Sequence, residues 1–339
     1  MKYFTITEKY QKYVNGVPTD EFKEGKSIGV FQFGTMNECE KYTPQITYNN
    51  WVTTGNGILT LGHNGFTINE LEQDNDGLHH YTIEGAGTEI RFTSNIIYSH
   101  YIDLTNMTDL SNMDLCSSNY IGGDFSGWNT SNVTNMSNLF YTARECTTLD
   151  LSSFNTSNVT IMESMFSNCN KLTTLDISSF DTSNVTRMSS MFQDCHSLTT
   201  LDLSHFDTSN VEYMDCMFAG CSSLTTLDLS SFNTSKVKWM NGMFSNCNIT
   251  TLDLSHFDTS NLTDTTAMFD GCTSLTTLNI SGFDLTKTYT NNNRHDYMFE
   301  KCTSLQTIYA YGCNEATINC INENLSKAGL TNQVTIITQ

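Results

Sequence analysis

Proline is nearly missing: Pro18 and Pro44 are the only two in 339 residues, so nothing beyond position 44 is a Pro-rich linker. Positive charge is also scarce. The 16 Lys and Arg stand against 36 Asp and Glu, a formal net charge of -20. That balance excludes a nucleic-acid partner, because binding phosphates needs clustered Lys and Arg. It argues equally against an anionic membrane surface. Charged residues amount to 15%, against about 25% in an ordinary globular domain. The surface must therefore be covered by Ser, Thr and Asn. No apolar run approaches the roughly 18 residues of a spanning helix, so no membrane insertion is expected. The opening MKYFTITEKYQKYVNG has no apolar h-region, and no secretory leader is read there. Catalytic signatures are scarce too: there is no Walker-type glycine loop and no H-E-x-x-H. The eight histidines fall at no metal or catalytic spacing. The chain is read as a non-enzyme with no cofactor.

What the sequence has is a repeat, the first thing to look for in a chain of this length. One unit runs LTTLDLSHFDTSNVEYMDCMFAGCSS, from Leu198 to Ser223. An aromatic recurs at Trp128, Phe154, Phe180, Phe206, Phe232, Phe257 and Phe283, and a Met-Phe pair recurs from Met165-Phe166 to Met298-Phe299. Each unit carries two periods. Leu198, Leu201, Leu203 and Phe206 follow the leucine-rich pattern, and Asp202 and Ser204 alternate with the leucines as in a short strand with one buried face. Asp207-Thr208-Ser209-Asn210 then supplies capping residues. Val211, Met214, Met217, Phe218 and Cys221 follow at steps of 3, 3, 1 and 3, one face of a short helix or a 3₁₀-like turn. A strand and a return in 26 residues make one solenoid coil, which cannot bury its apolar face alone and must stack on its neighbours.

Stacking turns repeated positions into ladders about 4.8 Å apart. Leu, Phe, Met and Cys form inner ladders. The cysteines Cys169, Cys195, Cys221, Cys247, Cys272 and Cys302 come once per coil amid apolar residues. They read as reduced packing residues, not as the C-x₂-C pairs of a metal site or as a disulfide framework. Cys216 lies off this ladder, and a Cys313–Cys320 bridge is a candidate in the C-terminal cap. Asp150, Asp176, Asp202, Asp228 and Asp253 form an outer ladder of carboxylates, which should repel one another. Calcium between coils would relieve the repulsion. Hydrogen bonds from flanking Ser and Thr hydroxyls would do so without a metal, and no metal ligand is assigned.

The phrase F-D-T-S-N-V-T-x-M-x-x-M-F-x-x-C-x-x-L-x-x-L-D-L-S, present from Phe180 to Ser204, resembles the BspA-like leucine-rich repeat family of bacterial surface proteins. The resemblance covers about residues 102–310. It implies a curved parallel-sheet solenoid used for adhesion or protein binding, and it carries over no catalytic residues.

The fold class expected is an α/β repeat protein, a leucine-rich-repeat solenoid with a parallel β-sheet plus a β-rich N-terminal domain. Residues 1–97 form that anchoring or assembly domain, with strand-like runs at 57–61 and 88–92 and a capping strand from about Tyr81. The solenoid spans 98–310, and residues 102–124 are a decayed coil whose Met107, Leu110 and Met113 match Val133, Met136 and Leu139. The cap spans 311–339. In it Ile318, Ile321 and Leu325 have helical spacing, Gly329 is a stop and 334–337 is a last strand. Asparagine-rich residues 287–294 interrupt one coil as a loop.

The ligand-contact candidates are the five ladder aspartates, His205 and His256 in one exposed slot, Tyr213 and Trp239 in the slot held by Arg187, and Asn291, Asn292 and Asn293. The function expected is a structural or binding protein, with a protein or glycan on a cell surface, or other virion proteins, as partner and with a homo-oligomer as its state. Reduced cysteines and the leaderless start favour an exposed position on a bacteriophage virion, as fibre or capsid decoration. The alternative is a bacterial cell-surface adhesin.

Overall fold

The computed structural model describes residues 108–111, 125, 128–289 and 295–339, and before these the backbone of five strands. β1 (Thr5–Val14) and β2 (Val17–Gly29) form an antiparallel hairpin. β5 (Tyr81–Gly85) lies between β3 (Phe31–Gln32), which is parallel to it, and β4 (Phe66–Glu70), which is antiparallel. The expected strand at Tyr81 is present. The runs at 57–61 and 88–92 and Asn291–Asn293 lie outside the described residues, as does most of the decayed coil.

From Leu110 onward the chain is a solenoid of parallel coils. One face carries the three-residue strands β6 (Thr148–Asp150), β7 (Thr174–Asp176), β8 (Thr251–Asp253), β9 (Thr277–Asn279), β10 (Thr307–Tyr309) and β11 (Thr335–Ile337). β6 pairs with β7, and β8 to β11 form a separate four-stranded sheet in sequence order. The middle coils, at Thr200–Asp202 and Thr226–Asp228, form no strand, and their Leu201 and Leu227 are only half-buried. The leucine face is therefore not the continuous one.

The opposite segment of each coil is continuous. Parallel bridges run Asp109, Asn135, Ile161, Arg187, Tyr213, Trp239, Asp264 from coil to coil. The Met-x-x-Met-Phe-x-x-Cys return, read from its spacing as a helix or a 3₁₀-like turn, is a chain of turns welded to the next coil. Backbone donors alternate: Asn138, Phe140 and Thr142 donate to Glu163, Met165 and Ser167 of the next coil at 2.8–2.9 Å, while Leu139, Tyr141 and Ala143 donate three residues back within their own coil. An α-helix would turn every N–H inward along its own axis. Here half of them tie coils together, and no backbone group on this segment is left for a helix.

This geometry needs two left-handed residues per coil. They are Asn138 and Thr142, Ser164 and Asn168, Ser190 and Asp194, Cys216 and Gly220, Gly242 and Asn246, Ala267 and Gly271, and Tyr297 and Lys301. Asn, Asp and Gly recur there because they enter this region at least cost.

Three side-chain columns fill the space between coils. Phe140, Phe166, Phe192, Phe218, Phe244, Phe269 and Phe299 stack with centroids 5.6–5.9 Å apart and planes within 13°. Offset stacking of this kind adds about 0.5–1.5 kcal/mol per pair beyond the burial itself. The thiols of Cys169, Cys195, Cys221, Cys247, Cys272 and Cys302 each donate to a Phe carbonyl in the preceding coil at 2.9–3.2 Å. The buried Thr of the D-T-S-N phrase does not cap a helix. Thr208 Oγ1 donates to the Asn233 carbonyl and accepts the Asn233 N–H, at 2.9 and 2.8 Å, and Thr130 and Thr156 do the same one coil on. Asp207 accepts the Ser209 N–H in a local turn.

The C-terminal end closes with α2 (Glu315–Lys327), capped by Asn314, whose side chain accepts the Thr317 N–H. Its Ile321 and Leu325 are buried, Ile318 packs beside them, and Gly329 is left-handed after the helix. The loop region holds a short α1 (Thr286–Tyr289).

The buried threonine is the sharpest test of this arrangement. Thr208→Val keeps the shape but strands the Asn233 N–H and carbonyl. It should cost about 1–3 kcal/mol, against about 0.5 kcal/mol or less for Ser209→Ala on the surface. Urea unfolding followed by circular dichroism reads both.

Candidate functional site

The structure divides the candidate residues between two faces. Asp150, Asp176, Asp202, Asp228 and Asp253 are exposed at the ends of the strand-face segments. Each carboxylate accepts the backbone N–H of the Ser two residues on, at 2.9–3.0 Å. Hydrogen bonds from these serines hold all five carboxyls below the usual carboxylate value, and for Asp176 they outweigh the repulsion from Asp150. The donors are serines, with no contribution from the paired threonines, whose hydroxyls bond neighbouring coils instead, as Thr173 does to the Thr147 carbonyl.

His205 and His256 are exposed, and they also have a structural task. Their Nε2 atoms meet the carbonyls of Ile177 and Leu229 in the preceding coil at 2.8 Å. Ser153, Ser179 and Ser231 reach back in the same way from the same slot. Each imidazole stands edge-on to the following Phe, at 5.1 Å for His205 and 4.9 Å for His256.

Tyr213 and Trp239 lie on the bridge ladder, not on a helix, and they are brought together. Their rings meet edge-to-face at 4.8 Å, and Trp239 keeps 40% of its surface exposed. The Arg187 guanidinium lies 4.9 Å from the Tyr213 centroid and the Lys238 ammonium 5.8 Å. Both cations are held by the coil before their own: Arg187 Nε reaches Glu163 and Lys238 Nζ reaches Glu212, each at 2.6 Å. The result is a fixed strip of cation, ring and ring across three coils.

Beside this strip is a groove of about 460 Å³ that the sequence reading did not find. Its lining includes Asp194, Cys216, Gly220, Asn241, Gly242 and Asp264. The cause is the left-handed columns. Coils on either side fill them with Asn138, Thr142, Ser164, Asn168, Ser190, Tyr297 and Lys301, whereas the groove lining has Cys216, Gly220, Gly242 and Ala267 there, beside Asp194 and Asn246. Gly220 is required twice over: it is left-handed, and a Cβ there would come within 2.2 Å of Asp194 Oδ1. The groove follows the strip directly. Asn241 is two residues after Trp239, and Asp264 is the bridge partner of Trp239 in the next coil. The signal was in the sequence, as a local drop to small residues at two fixed positions. It becomes readable once those positions are known to be left-handed and outward.

The cysteines offer little chemistry. All ten in the described residues are free, Cys313 and Cys320 included, so the bridge considered between them does not form. Cys313 instead donates to the Ile280 carbonyl at 3.2 Å. Burial pushes the thiol of Cys146 up to about 11 and that of Cys320 to about 12. Cys216 is raised by its partial burial and by the nearby Asp215 and Asp194. Among the described residues, no three His, Cys, Asp or Glu side chains converge to hold a metal ion.

The carboxylate ladder makes a prediction about acid. A carboxyl whose folded value is lowered stabilises the fold fully above its unfolded value, and the contribution is lost as pH falls through the lower folded one. The melting temperature should therefore be insensitive to these groups down to about pH 4 and fall below it, with Ser178→Ala reducing the drop by removing the 2.7 Å hydroxyl bond to Asp176. Since serines already compensate the ladder, EDTA at neutral pH should leave the melting temperature unmoved.

Comparison with known proteins comes to the same repeat. A search of curated proteins finds no match. Among solved structures the chain is similar to a leucine-rich repeat protein from Bacteroides ovatus, at 12% identity over 81% of this chain and 76% of that one, with a TM-score of 0.25. The solenoid assignment stands on the ladders described above. The model of one family matches four overlapping segments, 105–226, 171–283, 197–311 and 225–333, the later ones beginning 26 and 28 residues apart, about one coil (197 − 171 and 225 − 197). Together they run from 105 to 333, the whole of the stacked region and most of its cap. The chain belongs to the family described as Mycoplasma protein of unknown function, DUF285.

Proposed function

We propose that the chain is a non-enzymatic attachment module whose solenoid presents the Arg187–Tyr213–Trp239 strip and the adjoining groove to a partner on a cell surface. One observation carries this reading. In a stack whose inner columns hardly change, the outward residues change together over neighbouring coils, to an exposed Trp239 against a half-buried Tyr213 and to a floor with small residues beside them. Packing does not ask for this, since the other coils stack without it. Exposed Trp and Tyr in a fixed setting are the residue types that dominate contact energetics. The leucine-rich repeat character and the resemblance to BspA-like surface proteins support an adhesive role.

Two measurements test the proposal. Labelled full-length chain is incubated with intact cells, beside Tyr213→Ala/Trp239→Ala. Loss of two contact aromatics should lower retention by at least about tenfold, with an unchanged melting temperature, and unaltered retention overturns the reading. Mass spectrometry of washed envelopes beside purified phage particles from the source culture should recover the chain in envelopes. Recovery in particles alone overturns the cell-surface setting.

A further inference from the structure

We propose that the groove floored by Gly220 and Gly242, together with Trp239, which precedes its Asn241 by two residues and bridges to its Asp264, binds a neutral saccharide chain. The inference rests on the attachment reading and names the chemistry of its partner. Four observations converge on it. The first is the ring platform. Trp239 is 40% exposed and is braced by Tyr213 at 4.8 Å, so an open aromatic surface is held in place before any ligand arrives. The negative face of such a ring attracts the weakly positive C–H groups along one side of a pyranose.

The second is the rim. Asp194, Asn241, Asn246 and Asp264 line the groove. Carboxylates accept only, and amides both donate and accept, which is the mixture that vicinal hydroxyls need.

The third is what the lining lacks. It contains no Lys or Arg, and the chain as a whole carries -20. A phosphate or sulfate group would meet repulsion and no bidentate partner. The aliphatic side chains in the lining are Ala219 and Ala267, too small to form the pocket that a large apolar anchor of a peptide requires.

The fourth concerns cations. A basic peptide would be drawn by the net charge, but the aromatic end already holds Arg187 and Lys238 at 4.9 and 5.8 Å from the Tyr213 ring. The Tyr213 ring is therefore already taken as a cation platform. The size agrees with the assignment as well, since about 460 Å³ lies within the 300–1,000 Å³ of ordinary small-ligand sites.

The test uses the full-length chain on an array of neutral oligosaccharides built from glucose, galactose, mannose and N-acetylglucosamine, with sulfated oligosaccharides and oligolysine as comparisons. Two variants report on the two halves of the site. Trp239→Ala removes the platform. Ala267→Asn fills the groove without new backbone strain, because Ala267 is already left-handed at φ 55° and Asn138 occupies the same column at φ 57°. Lys171→Ala, paired with Glu145 elsewhere on the surface, serves as the control. The expected result is retention of at least one neutral oligosaccharide, weakened tenfold or more by each site variant and unchanged by the control. No neutral oligosaccharide retained, or retention indifferent to both site variants, overturns the proposal. Oligolysine bound in place of sugar and lost in the same variants also overturns it, assigning the groove to a basic peptide. Cell retention that survives periodate oxidation of surface glycans, with a blank array, rejects the saccharide and leaves the attachment reading standing.

Discussion

The structure depends on one arrangement of backbone hydrogen bonds. Along the segment that begins at Met136, alternate N–H groups point to the next coil and the rest close turns within their own coil. Nothing in this segment is satisfied by a helix or by a conventional strand alone. The stack consequently has to be built coil on coil, and a coil without its neighbour leaves about half of these donors unpaired. Backbone groups stranded away from water are costly, so stability is a property of adjacent pairs, as expected for a one-dimensional repeat. The absence of proline after position 44 follows, because each proline would delete a donor from the scheme.

The repeated phrase is this arrangement written in side chains. The buried Thr closes a two-way bond between coils, the thiol occupies a carbonyl that the turn leaves partly free, and the phenylalanines stack where the coil spacing brings their rings within reach. Polar residues of the exposed phrase are equally committed. Asn158, Asn184 and Asn210 each donate to a Ser carbonyl of the coil before. This explains a surface so rich in Ser, Thr and Asn and so poor in charge: uncharged groups both give and accept short hydrogen bonds between coils without the repulsion that stacked like charges would add.

Much of this was legible in the sequence. The period of 26, the inward Leu, Met, Phe and Cys and the capping helix at Glu315–Lys327 all follow from spacing and residue type. The return was harder. Apolar steps of 3, 3, 1 and 3 describe a helix face, and they also describe consecutive turns in which two residues per coil are left-handed. Asn168, Asp194, Gly220, Asn246 and Gly271 at one fixed position favour the turns, because such residues enter the left-handed region most readily. The interruption of the strand ladder at Leu201 and Leu227 has no counterpart in the sequence, since those coils read T-T-L-D-L like their neighbours. Tyr213 and Trp239 were visible as deviants in one slot. Their edge-to-face contact, and the groove beside them, required knowing that this slot lies on a bridge ladder and that the positions after it face outward.

The separation of scaffold from surface has a further consequence. Because inner columns and left-handed backbone set the fold, the outward positions of a coil can change with little penalty to its neighbours. The two left-handed columns are special among them. A side chain there projects from the surface, yet glycine is the residue the backbone prefers, so emptying the column costs nothing in strain. It relaxes the conformational demand and leaves room that the preceding coil can use, as Asp194 does over Gly220 and Asn246 over Gly271. A solenoid of this type therefore gains concavity locally, by losing side chains over a few adjacent coils, while every hydrogen bond between coils stays in place. The groove at Cys216, Gly220, Gly242 and Ala267 sits where that local loss coincides with the change of the bridge ladder to aromatic residues. The two changes are independent in sequence and adjacent in space, and the proposed binding site rests on their coincidence.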